Sequence, residues 1–146
     1  MTIGENVCAY RRRKELLQRE LAELSGVSRS TITKLEADRH WARFTTFIKL
    51  SKVLNVSIDT LVGRSGVFPR LRLGSDLTFG EKIAAARKAN NLTRAALERK
   101  ADIPEKTLER WENRGIDPTI CYLIAVADVL NISLDELVGR RCDDGG

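Results

Sequence analysis

The chain is written twice. Gly4-Glu5 recurs as Gly80-Glu81, a shift of 76 residues, and the same shift carries the alignment onward without a gap. It pairs Arg11 with Arg87, Leu21 with Leu97, Thr31 with Thr107 and Glu36 with Glu112. It also pairs VLNVSIDTLVGR at 53–64 with VLNISLDELVGR at 129–140. Such a period means two supersecondary units of one design. The 146 residues then divide into a first domain at 1–64, a linker at 65–76, a second domain at 77–140 and a tail at 141–146.

Each copy reads as about five short helices, and no strand is required. In the first copy, helix 1 is expected from Gly4 to Lys14 and helix 2 from Gln18 to Leu24. Gly26 suits the tight turn that follows, and Ser28 is placed to cap a third helix reaching Ala37. Helix 4, Thr45 to Leu54, puts Phe47, Leu50 and Leu54 on one face; Asn55 supplies its left-handed end and Ser57 caps a last turn ending at Gly63. In the second copy Thr93 can cap helix 2, and Asp117-Pro118 reads as an N-cap followed by proline at the first helical position.

The formal net charge of +5 is unevenly placed. Between Ile3 and Arg64, 12 Lys and Arg face 7 Asp and Glu, whereas between Phe79 and Arg140 the count is 10 against 10. The excess therefore belongs to the first copy, and it fits an anionic partner without establishing one. The stretch SRSTITK at 28–34 sharpens this, because Arg29, Ser30, Thr33 and Lys34 share an outward face while Ile32 and Leu35 point back to the core. A merely structural surface helix would use stronger helix formers.

Other classes are poorly supported. No apolar run approaches the roughly 20 residues of a membrane span, and no apolar segment precedes the first basic cluster as in a secretory leader. A cytoplasmic protein is expected. Cys8, Cys121 and Cys142 form no CxxC pair, and His40 is the single histidine without ligand-like neighbours, so neither disulfide framework nor metal site is indicated. With no P-loop, GxSxG or HExxH motif, the chain is not read as an enzyme, and no catalytic residue or cofactor is expected.

The stretches LQRELAELSGVSRSTITKLE with IKLSKVLNVSIDTLVG, and LTRAALERKADIPEKTLERWE with IAVADVLNISLDELVG, resemble the Cro/CI-type (XRE-like) helix-turn-helix family. The fold this implies is all-α, two tandem five-helix lambda-repressor-like domains joined by a short linker. The resemblance also implies double-stranded DNA as the partner, with helix 3 in the major groove. Base reading then falls to Arg29, Ser30, Thr33 and Lys34, and phosphate contacts to Gln18, Ser28, Arg39 and Arg43. Arg11 with Glu36, and Arg87 with Glu112, match the family's structural ion pair between helices 1 and 3.

The second copy departs from the family pattern. Glu98 stands where a small residue (Ala22) is preferred, Asp102 replaces Gly26, Pro104 replaces Ser28, and Arg94 replaces Gln18. Its candidate DNA contacts are Arg94, Glu105, Lys106, Glu109 and Arg110, and it is left open between reading DNA and mediating assembly. Trp111 is expected in the core; Trp41 is open between a staple onto helix 4 and a partner anchor. The run Arg12-Arg13-Lys14 reads as a solvated helix end, with a phosphate role as its alternative. Twelve linker residues reach at most about 40 Å, more than the ~34 Å between half-sites one DNA turn apart. Its apolar run VFPRLRL is expected to pack, with a minor-groove arm at Arg70-Leu71-Arg72-Leu73 as the alternative. A homodimer on a palindrome and a tandem monomer on unlike half-sites both remain open.

The expected function is therefore sequence-specific transcriptional regulation, as a repressor. The alternative is a protein-interaction module, antitoxin-like or an adaptor, partnered through the second domain or the linker. A basic reading face distinguishes the two, since an adaptor needs none.

Overall fold

The computed structural model describes residues 2–39, 42–66, 68 and 77–138. The chain divides into two compact units, Met1–Gly66 and Val67–Gly146. His40, Trp41, the arm at 70–73, Arg140 and Cys142 lie outside the described residues. Every regular element described is helical.

The first unit contains α1 (Ile3–Arg13), α2 (Gln18–Ser25), α3 (Arg29–Glu36), α4 (Phe44–Leu54) and α5 (Ile58–Leu61). Helix α1 packs on α3 and α5, α2 on α3 and α4, and α4 on α5. Between them lie Val7, Leu21, Ile32, Leu35, Phe47, Leu50, Leu54, Ile58 and Leu61, all buried. The apolar face expected of helix 4 is this core's floor. Removing such side chains from water is the main stabilising contribution, about 1.5 to 3 kcal/mol for each large one.

Several helix ends are set by signals in the sequence. Ser28 Oγ accepts the Thr31 N–H at 3.1 Å, Ser57 does the same for Thr60 at 3.0 Å, and Asn55 ends α4 in the left-handed region. Helix α1 starts one residue earlier than Gly4. The cause is a reciprocal cap: Thr2 Oγ1 accepts the Glu5 N–H while the Glu5 carboxylate accepts the Thr2 N–H. Thr78 and Glu81 repeat it in the second unit. The glycine beside each glutamate has another reason. A Cβ on Gly4 would collide with the Leu35 carbonyl oxygen, and one on Gly80 would come to 2.5 Å from that of Trp111. The recurring Gly-Glu pair is thus a close crossing and a cap in adjacent residues.

The second unit contains α6 (Phe79–Ala89), α7 (Arg94–Ala101), α8 (Thr107–Asn113), α9 (Ile120–Leu130) and a single 3-10 turn at Asp135–Leu137 in place of α5. Its core gathers Ile83, Leu97, Leu108, Trp111, Leu123, Val126 and Leu137. Trp111 sits there as expected, its ring centroid 6.0 Å from that of Phe79. Thr93 caps α7 through the Ala96 N–H, and Asp102 adopts the left-handed conformation of Gly26. Asp117-Pro118 does not open α9. The helix begins at Ile120 after Thr119, the same register as Phe44 after Arg43 in the first copy. Pro118 is instead a buried packing residue at the place of Ala42.

Candidate nucleic-acid interface

Helix α3 is held by its buried side and by one polar anchor. Ile32 is 0% exposed and Leu35 3%, while Arg29, Ser30, Thr33 and Lys34 are all exposed. That leaves a cationic, hydroxyl-bearing ridge facing solvent. Arg39, exposed, follows the end of α3, and Arg43, also exposed, immediately precedes α4. The four cations Arg29, Lys34, Arg39 and Arg43 are therefore carried by α3 and the segment leading from it into α4.

The anchor is the ion pair between α1 and α3. Arg11 donates through its guanidinium to both Glu36 oxygens, at 2.7 and 2.9 Å, and to the Leu16 carbonyl at 2.7 Å. Burial pushes the Glu36 carboxyl upward, but the hydrogen bonds from Arg11 and Gln18, with the Arg11 charge, outweigh it and hold it below the ordinary glutamate range. The same hydrogen bond raises Arg11 against its own desolvation. The two side chains thus join α1 to the end of α3.

Two residues expected on phosphates have other engagements. Gln18 donates its amide N–H to Glu36 at 3.0 Å and accepts from the Thr33 hydroxyl at 3.0 Å. Ser28 spends its hydroxyl on the α3 cap, accepting from Thr31 N–H and donating to Thr31 Oγ1 at 2.7 Å. What these positions retain toward an anion is the open N-terminal turns of α2 and α3, whose first N–H groups have no partner within their helix.

The second unit assembles differently. Its anchor is kept, with Arg87 donating to Glu112 twice at 3.0 Å. Arg94, a candidate DNA contact, joins that carboxylate at 3.1 Å and Asn113 at 3.4 Å. Helix α8 begins two residues later than α3 in the shared register, after Lys106 in the left-handed region at φ 68°. Glu105 and Lys106 consequently lie in a turn before the helix, and only Glu109 and Arg110 lie on it. Pro104 has no side-chain acceptor for a cap, and Glu98 from α7 supplies one, its carboxylate accepting the Leu108 N–H at 3.0 Å.

Reading the sequence locally missed this, because donor and acceptor stand ten residues apart on different helices. Glu98, standing at the place of Ala22, thus supplies the start of α8 with an acceptor that the Lys106 cap residue does not. Ser28→Ala is expected to cost about 1 kcal/mol in the first domain. Glu98→Ala should cost about 1.5 to 3 kcal/mol in the second, since it removes a buried charged acceptor. Denaturant titration of each variant checks both, and a Glu98 variant as stable as the parent would show that its contact contributes nothing.

Two helices joined by a left-handed turn, the second presenting a polar cationic ridge, define a helix-turn-helix DNA-binding regulator. The helix-turn-helix family model matches twice, over residues 9–61 and 83–137, and the chain belongs to this family in its Cro/CI-type branch. The chain is 38% identical over 65 residues to the control protein C.SmaI of Serratia marcescens, covering 44% of this chain and 77% of that one. It is 32% identical over 63 residues to the immunity repressor protein of Bacillus phage phi105, covering 43% and 44%. To the cryptic phage CTXphi transcriptional repressor RstR of Vibrio cholerae it is 38% identical over 64 residues, covering 44% and 57%. Each match has about the length of one repeat, and it spans only about half of either repressor. Among the described residues no helix is long and apolar enough to cross a membrane, and no cluster of His, Cys, Asp or Glu could hold a metal ion.

Proposed function

We propose that the protein is a sequence-specific transcriptional repressor in which α3 of the first domain reads the DNA major groove and blocks access of polymerase. The observation that carries this is the exposed row Arg29, Ser30, Thr33 and Lys34 on a helix fixed from behind by Ile32, Leu35 and the Arg11–Glu36 pair. Arg29, at the first position of α3, pairs with guanine O6 and N7, and Lys34 with guanine or phosphate. Arg39 and Arg43 contact phosphates, together with the open starts of α2 at Gln18 and of α3 at Ser28. The names of the matched repressors support this reading.

Selection of sites from a random duplex pool by the full-length protein tests it. Arg29→Ala is expected to relax one guanine position, losing about 1 to 3 kcal/mol of discrimination there. Removing Arg39 and Arg43 together should weaken binding to all sequences and flatten the salt dependence by about 2. A pool without enrichment would overturn the proposal.

The second domain serves assembly or a protein partner, a reading favoured by the late start of α8 and by the carboxylates of Glu105 and Glu109 on the side where α3 carries Arg29 and Thr33. Glu98, Asp102, Glu105 and Glu109 line an open cleft of ≈ 690 Å³ there together with Arg94, Arg99 and Lys106, a lining of mixed charge. The same selection discriminates: an inverted repeat of one half-site fits a single reading domain per chain, and two unlike half-sites would assign base reading to the second domain as well.

A further inference from the structure

We infer that Thr33 reads the 5-methyl group of a thymine and that Gln18 is the positioning residue that turns it to do so; this rests on the major-groove reading of α3 proposed above.

The inference starts from what each group can donate. Glu36, paired with Arg11, is an ionised carboxylate and can only accept. Gln18 must therefore turn its NH2 toward Glu36, which the 3.0 Å contact satisfies, and this sends its carbonyl oxygen toward Thr33. A carbonyl also only accepts. The proton in the 3.0 Å contact between Thr33 Oγ1 and Gln18 Oε1 is then the threonine's own. The amide orientation is fixed by chemistry, through a relay running from Arg11 to Glu36, Gln18 and Thr33.

Thr33 has thus spent its one donor inside the protein. A β-branched residue on a helix has few χ1 states, and pinning Oγ1 to Gln18 holds the γ-methyl on the other branch. Thr33 is exposed on the ridge with its donor engaged, so it can offer a DNA edge the γ-methyl, restrained by that bond, and the acceptor capacity left on Oγ1, but no donor. In the major groove the matching surface is the C5-methyl of thymine, the apolar feature that separates a T·A pair from the other three. The second domain lacks the arrangement: Glu109 stands at the position of Thr33, and Arg94, in place of Gln18, is turned to Glu112 and Asn113.

The test uses the full-length protein and a duplex of its selected sequence in which each thymine in turn is replaced by deoxyuridine, removing only the methyl. Binding is expected to weaken about fourfold at one thymine position, the worth of one methyl taken out of water. Thr33→Ser keeps the hydroxyl and its partner but lacks the methyl, and should bring the thymine-to-uracil ratio at that position to one. Gln18→Ala should lower the same ratio while leaving the loss caused by 7-deazaguanine at the guanine facing Arg29. Uracil tolerated at every position, or a Thr33→Ser protein that keeps the ratio, overturns the inference. An enriched, Arg29-dependent sequence indifferent to uracil removes this inference alone, whereas a pool with no enriched sequence removes the groove reading as well.

Discussion

Replacing Glu36 with alanine is expected to destabilise the first domain by about 3 to 5 kcal/mol, because it leaves the Arg11 guanidinium buried without its counter-charge. Arg11 is 9% exposed, and without Glu36 it keeps the Leu16 carbonyl and a weak contact with Cys8 Sγ. A domain of this size has a total stability of about 3 to 9 kcal/mol, so the loss approaches the whole of it. In a Trp41→Phe background, Trp111 fluorescence reports the second domain alone, and its transition should stay in place while part of the helical circular dichroism is lost earlier. Substituting both partners with apolar residues, Arg11→Met with Glu36→Leu, should recover much of the stability, since no uncompensated charge then remains. A loss under about 1 kcal/mol for Glu36→Ala would mean that the pair behaves like a solvated one.

The same pair makes the first domain sensitive to acid. The folded Glu36 carboxyl lies below its ordinary value, so its contribution is fully present above the unfolded value and is lost as pH falls through the folded one. The Arg11→Met, Glu36→Leu protein should lack that component of acid destabilisation. An unchanged pH profile in this double variant would place the acid sensitivity elsewhere.

Gly4→Ala is the second large effect. The methyl group would meet the Leu35 and Glu36 carbonyl oxygens, which belong to the backbone of α3 and cannot swing aside. The crossing of α1 and α3 must open, at a cost of about 1 to 3 kcal/mol or more. DNA affinity should fall with it, since α3 is displaced from its support. Gly26→Ala offers the control: at φ 79° with nothing within 4 Å of a new Cβ, it meets strain but no collision, about 1 to 2 kcal/mol. Thermal unfolding of both variants decides the order, and a Gly26 variant less stable than the Gly4 variant would refute the crowding argument.

Much of this molecule is legible along the chain. The 76-residue repeat, the apolar spacing of Phe47, Leu50 and Leu54, the capping roles of Ser28, Ser57 and Thr93, and the left-handed turns at Gly26, Asn55 and Asp102 depend on residues within a few positions of one another. So does the outward ridge of α3, because helical period alone separates Arg29, Ser30, Thr33 and Lys34 from Ile32 and Leu35. Local stereochemistry and periodicity act over one or two turns, and a sequence displays them directly.

The remainder needed helices brought side by side. Why Gly4 and Gly80 recur is answered by carbonyl oxygens some thirty residues away, and why Glu98 is tolerated is answered by the Leu108 N–H at the start of another helix. The two groups that hold the Gln18 amide, Glu36 and Thr33, stand on another helix, 18 and 15 residues further along the chain. The start of α9 lies at Ile120 and not at the Asp117-Pro118 signal, where Pro118 is packed into the interior ahead of the helix. Hydrogen-bond partners and van der Waals collisions depend on separation in space, and between different helices only tertiary packing sets that separation.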